Sequence, residues 1–249
     1  MKNYNSKIFW HFTGGPVLPN VETTPKSPKE ALKHGLKDLK EAYNNLELII
    51  KSKYLKASCN ESIFGNRKTS PFCCVTDIPL VYLHQHQQYY GDVAIGFKSD
   101  MIYRDFNPVL YLNVKELYEV ISEVDTGVEK WTEEEVEKYG LLNVANPPTK
   151  NEDGTYNVAF VKTRYVDTDR PYDQFLLNLI KPTKFSDDAG ESFYQEREWR
   201  ALDNFHFEYK DIAAIIVPES HIDKASDLLT GIGEAKEISL MSWEFLDKV

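Results

Sequence analysis

The segment Ile8-Phe9-Trp10-His11-Phe12, stopped by Thr13-Gly14-Gly15-Pro16, is where the fold begins to be legible. Aromatic and β-branched residues favour extended backbone and the Gly-Gly-Pro run breaks it, so a first strand delivers His11 to its carboxyl end. Val17 to Pro28, rich in Pro, Thr and Ser, reads as a lid-like surface excursion. Ser27-Pro28-Lys29-Glu30 then combines an N-cap, a first-turn proline and a first-turn carboxylate. Leu39, Tyr43, Leu46, Ile49 and Ile50 recur at helical spacing as far as Tyr54, which predicts one long helix or two abutting ones.

Outward from there, strands and helices are mixed. Pro71 to Ile78 reads as a strand closed by Pro79, and Leu80 to Tyr90 as a short polar helix. Val93 to Phe97 and Val109 to Leu112 are apolar β-type runs that suggest a hairpin-like pair, and Leu117 to Val124 reads as a helix. Phe193 to Leu202 carries the densest cluster of charges and aromatics. Ile212 to Val217 has the uninterrupted apolar pattern of a strand buried on both faces. A helix, Asp223 to Leu229, and a strand, Lys236 to Leu240, follow. The class is α+β, in a single domain over 1–249, with the turn-rich stretch 126–155 read as an insertion.

A chain of 249 residues, 42% hydrophobic, can bury a full core. Its formal net charge of -10 disfavours broad nonspecific binding to nucleic acid, which depends on neutralising many phosphates. Met1 to Trp10 lacks the apolar core of a signal peptide, and no run reaches the roughly 18 apolar residues needed to span a bilayer. These features lead us to expect a cytoplasmic protein with no membrane partner. Cys59, Cys73 and Cys74 are too few and too irregularly spaced for a disulfide framework and read as free thiols.

Two places can carry chemistry. Glu196-Arg197-Glu198-Trp199-Arg200 sets two carboxylates at i and i+2, on one face if the segment is a strand. Such a pair can divide labour, one polarising a nucleophile and the other stabilising positive charge on a sugar carbon, as in breaking the nicotinamide–ribose bond of NAD. The plainer reading is a solvated strand edge balanced by Arg197 and Arg200. His11 and Thr13 share a face at a strand end where glycines let a ligand approach, and they can hold a ribose or a base; local hydrogen bonding would equally explain them. Tyr89-Tyr90-Gly91 can stack on a flat ring or simply pack. Cys73 and Cys74 with His84 and His86 suggest zinc at first sight. Adjacent strand residues point to opposite faces, however, and no Cys-x-x-Cys pair is present, so no metal is expected.

Five segments in order resemble the abortive phage resistance proteins of the AbiGi type. They are His11-Phe12-Thr13-Gly14, Cys74-Val75-Thr76-Asp77-Ile78-Pro79-Leu80, Tyr90-Gly91 through Ile95-Gly96, Asn107-Pro108-Val109-Leu110-Tyr111 and Glu196 to Arg200. That resemblance implies a role in phage defence beside a second gene, and a non-catalytic antitoxin or regulatory partner of a neighbouring toxin. The order of an early His, a mid-chain aromatic and a late Glu-x-Glu is also similar, more remotely, to ADP-ribosyltransferases of the His–Tyr–Glu type. This second resemblance implies a split β-sheet with flanking helices clamping NAD as substrate of a mono-ADP-ribosyltransferase. In it, His11 and Thr13 would meet the adenosine-side ribose and Tyr89 or Tyr90 would stack on nicotinamide. Glu198 would be catalytic on the nicotinamide ribose hydroxyl, and Glu196 would orient the acceptor.

Overall fold

The computed structural model describes residues 6–17, 25–64, 67–113, 122–143, 147–165, 171–188, 190–232 and 237–248. The chain divides into two compact units, one made of residues 1–114 with 171–249 and the other of residues 115–170. The first is an α+β unit built on a mixed seven-stranded sheet with flanking helices. From edge to edge the strands are Ser239–Ser242, Ile212–Val217, Ala94–Lys98, Ile8–Phe12, Cys73–Thr76, Glu198–Ala201 and Asn107–Pro108.

Strand alternation sorts the core into two faces. Phe9, Val75, Ile95, Phe97, Ile215 and Val217 pack on one face against Ala42, Tyr43, Leu46 and Ile50 of helix Leu39–Ser52. Trp10, Ala94, Ala214 and Ile216 pack on the other with Leu83 and Trp243. Trp10 can lie flat there because Gly96 opposes it; a Cβ at Gly96 would fall 2.7 Å from the indole.

Helix initiation follows the local chemistry. Ser27 Oγ accepts from the Glu30 N–H at 3.2 Å and Asp38 Oδ1 from the Glu41 N–H at 2.7 Å, so each helix has its cap. Two helices result, Pro28–Leu32 and Leu39–Ser52, interrupted at Gly35, whose φ of +80° suits glycine. The excursion read over Val17 to Pro28 falls mostly outside the described residues.

Three expectations need correction. Ala94–Lys98 and Leu110–Asn113 form no hairpin: the first pairs with Ile8–Phe12 and Ile212–Val217, and the second runs parallel to Ile180–Thr183. Both runs are apolar enough to seek any neighbour, and distant strands supplied better ones. The helix read over Leu117 to Val124 lies mostly outside the described residues, and Ser122–Val124 belong to a strand. The carboxylates at 196 and 198 do not share a strand, because the strand begins at Glu198.

In the second unit, Ser122–Trp131 and Tyr156–Tyr165 form an antiparallel ladder. Helix Glu133–Lys138 starts from a capping box between Thr132 and Glu135, and its Val136 packs with Tyr156 and Val158.

Strand Ile212–Val217 has a neighbour on each side and a core on each face, with Ile215 fully buried. Ile215→Ala is therefore expected to destabilise the protein by roughly 2–5 kcal/mol through lost burial and a residual cavity, read as a lower urea midpoint.

Candidate functional site

The sheet is nearly severed at one point, and the site is built beside it. Strand Ile8–Phe12 pairs along its whole length with Ala94–Lys98, but it registers with Cys73–Thr76 only at Trp10↔Thr76. Past that residue the two strands diverge. His11 Nδ1 spans the opening to the Cys74 carbonyl at 2.9 Å, a side chain replacing a missing ladder bond. A carbonyl only accepts, so Nδ1 carries the proton and Nε2 is left as an acceptor. Burial lowers the His11 pKa, which keeps the ring neutral. Thr13 is equally committed: its hydroxyl donates to the Ala42 carbonyl at 2.7 Å and is buried. Gly14 and Gly91 meet backbone to backbone here, and Gly91 has φ +85°. A side chain at either position would push the two loops apart.

On the far side of the split, the row Trp10–Thr76–Glu198 runs across the sheet and leads to a buried charge cluster. Lys181 Nζ lies 2.6 Å from Glu196, 2.8 Å from Glu198 and 3.2 Å from Glu61. Arg200, with no exposed surface, donates from Nε to Glu198 Oε1 at 2.8 Å and from Nη2 to Glu61 at 2.5 Å. Its Nη1 reaches the Asn178 carbonyl at 3.0 Å, and its guanidinium lies 4.1 Å over the Phe72 ring. Glu198 is therefore saturated. Burial alone would raise its pKa, but Arg200 and Lys181 outweigh that and hold it down to about 2. Burial opposes the charge on Lys181 too, and Glu198 and Glu61 more than compensate.

Glu196 behaves differently. It closes the short helical turn Phe193–Glu196, and Arg197 then adopts a left-handed conformation, φ +48°, before the strand starts. A non-glycine residue there costs on the order of 1–2 kcal/mol. Asp77 offsets this: its Oδ2 accepts from Arg197 Nη2 at 3.0 Å, its Oδ1 lies 2.5 Å from Nε as an ion pair, and its own N–H donates to the Arg197 carbonyl at 3.3 Å. The Thr76 hydroxyl donates to the Glu196 carbonyl. This kink turns Glu196 toward Lys181 through Oε2 and leaves Oε1 buried without a hydrogen-bond partner. Burial first, then the negative charges of Glu198 and Glu61, raise the Glu196 pKa well above the carboxylate range. A proton on Glu196 leaves two cations facing two carboxylates, a balanced set.

Glu196 also lines a pocket of about 310 Å³, with Tyr82, Gln85, His86, Tyr89, Tyr90 and Arg197 among its walls. His86 stacks on Tyr90 at 4.2 Å and packs on Phe12 at 5.1 Å. Burial, then the Lys181 charge, depress its pKa to about 3. The structure thus gathers Tyr89, Tyr90 and Glu196 in one pocket. His11, Thr13 and Glu198 are not among the residues lining it. Cys73 donates to the Asp203 carbonyl at 3.5 Å and His84 meets Asp247 at 3.3 Å, and among the described residues no group of three or more His, Cys, Asp or Glu is placed to hold a metal ion.

Sequence reasoning missed Lys181, Glu61 and Tyr111, whose hydroxyl accepts from the Glu198 N–H at 2.8 Å. Lys181 had a faint signal, a lone cation inside the run Ile180-Lys181-Pro182-Thr183. Glu61 had none.

The family model for the abortive phage resistance protein AbiGi, antitoxin, matches residues 51–227. The chain belongs to the AbiGi family. No curated protein matches the sequence. Among solved structures, the Thermus sp. 2.9 DarT in complex with carba-NAD+ aligns with TM-score 0.37 and 9% identity over 96% of this chain and 97% of that chain. The same protein in complex with NAD+ gives TM-score 0.38 and 8% identity, covering 96% of each. Likeness at this level carries no argument about the ligand of this AbiGi chain. Among the described residues, no helix is long and apolar enough to cross a membrane.

The cluster sets two expectations. Lys181→Met leaves the buried Glu196 and Glu198 and the half-buried Glu61 facing Arg200 alone, and breaking a buried pair in this way costs about 3–5 kcal/mol, read as a lower urea midpoint. His86 takes up a proton near 6.5 when unfolded but only near about 3 when folded, so its contribution is present above pH ~6.5 and is lost as pH falls. His86→Phe keeps the stack and should flatten the fall in stability between pH ~6.5 and 4.5, a window above the ordinary carboxylate range.

Proposed function

We propose that this AbiGi chain acts in phage defence as a non-catalytic antitoxin, a partner that restrains a neighbouring toxin. The observation that carries this reading is the saturation of Glu198. A carboxylate that stabilises an oxocarbenium-like transition state must offer uncompensated negative charge to the reacting carbon. Here Lys181 and Arg200 occupy both oxygens of Glu198 in the folded protein. The family's description as an antitoxin agrees.

A second reading, an NAD-dependent mono-ADP-ribosyltransferase, draws support from the meeting of Tyr89, Tyr90 and Glu196 in one pocket. The remaining residues fit NAD poorly. The Thr13 hydroxyl is spent on Ala42, His11 keeps only one acceptor, and 310 Å³ is at the small end of the roughly 300–1,000 Å³ of ligand pockets.

Co-expression with the neighbouring toxin should restore growth, and the purified chain should neither bind NAD at millimolar concentration in calorimetry nor consume labelled NAD. NAD turnover that disappears in Glu198→Gln would replace the antitoxin reading with the transferase.

A further inference from the structure

The unpartnered oxygen of Glu196 points to what the pocket receives. In the charge cluster Glu61, Glu196 and Glu198 face Lys181 and Arg200. With every group ionised, the set lacks one positive charge. Glu196 is the one carboxylate residue of the cluster that lines the pocket, and its Oε1 lies buried without a hydrogen-bond partner. The other walls suit a cation as well. Tyr82, Tyr89 and Tyr90 offer π-faces, and the Gln85 and Gln195 side chains offer acceptors. Arg197, the cation at the rim, is already held by Asp77. His86 stays neutral beside Lys181. A neutral aromatic ligand offers Glu196 no positive charge in exchange for its proton, whereas a guanidinium has five donors and no acceptor to waste.

The rim identifies the source of that cation as a protein. Tyr82 lines the pocket, and Leu80 and Val81 precede it in the chain; the three are 36%, 79% and 58% exposed in that order along the chain, an apolar turn placed against solvent. A buried polar anchor beside exposed apolar residues is the anatomy of a protein interface, where arginine is a frequent anchor. The pocket is large enough to admit a long side chain, and a net charge of -10 favours encounter with a basic partner.

We infer that this pocket is the docking point for an arginine side chain of the partner protein, with Glu196 as its counter-ion and Leu80, Val81 and Tyr82 as the surrounding contact. The inference rests on the antitoxin reading. Burial and the neighbouring carboxylates favour the protonated form of Glu196, and an entering guanidinium favours the ionised one, so binding is expected to release a proton. The charged groups facing that carboxyl within the cluster are Lys181, Glu198, Arg200 and Glu61, and His86 and Arg197 line the pocket with it.

The test is calorimetry of the full chain with N-acetyl-argininamide and with its neutral isostere N-acetyl-citrullinamide. The arginine compound should bind in the millimolar range, about tenfold or more tighter than the citrulline compound, as expected for an uncompensated buried carboxylate. Buffers of differing ionisation heat should report about one proton released per site, with affinity rising with pH. Glu196→Gln should erase the preference for arginine, and Tyr82→Ala, a safe change at an exposed position, should weaken binding. Equal binding of the two compounds, or no proton release by the wild type, overturns the inference. A complex with the toxin that forms yet ignores both Glu196→Gln and excess N-acetyl-argininamide also overturns it and leaves the antitoxin reading standing. Failure of any complex to form removes that reading, whatever the calorimetry gives.

Discussion

Lys181 is the charge around which this site is organised. A buried ammonium is costly unless its partners are close and fixed, and here three carboxylates from two distant parts of the chain, Glu61 and the pair Glu196 and Glu198, converge on it. The consequence is structural before it is functional. Strand Ile180–Thr183, the segment at Glu61 and strand Glu198–Ala201 must all arrive for any of these charges to be tolerated. Arg200 completes the set by joining Glu198 and Glu61 from the opposite side. Such a cluster adds little net stability compared with apolar packing, but its loss by halves is expensive, so it selects one arrangement of these strands over its alternatives.

The near break between Ile8–Phe12 and Cys73–Thr76 complements that cluster. A continuous ladder would have hidden His11 and closed the cleft; divergence after Trp10↔Thr76 opens the edge on which the kinked Glu196–Arg197 turn and the aromatic helix Leu83–Tyr90 converge. The kink at Arg197 divides the two glutamates. Glu198 enters the strand and is neutralised by Lys181 and Arg200, while Glu196 stays on the turn with one oxygen free. Two carboxylates two residues apart thereby differ in pKa in opposite directions, an effect of environment rather than of residue type.

Membership of the AbiGi family bears on how this geometry is used. An antitoxin needs no transition state to stabilise; it needs a surface that recognises one partner and tolerates no substitute. On the antitoxin reading proposed above, a pocket with an unpartnered carboxylate oxygen would serve that purpose, because a wrong group leaves the carboxyl neutral or unpaired in a buried place, where the penalty is large.

The sequence by itself determined the local elements. The caps at Ser27 and Asp38, the apolar spacing of Leu39–Ser52, the strand ending at Phe12 and the buried run Ile212–Val217 all follow from propensity and periodicity, which act over a few residues. It also marked Glu196, Glu198, Tyr89 and Tyr90 as residues worth attention, because their types and spacing were unusual. Tertiary structure alone decided the pairing of Leu110–Asn113 with Ile180–Thr183, the left-handed turn at Arg197 and the company each glutamate keeps. Glu61 reaches Arg200 across 139 residues of chain, and Lys181 is surrounded by charges from two separate segments, one at Glu61 and one at Glu196 and Glu198. No local pattern encodes such encounters, since electrostatic partners in a low-dielectric interior are chosen by proximity in space and the sequence records only proximity along the chain.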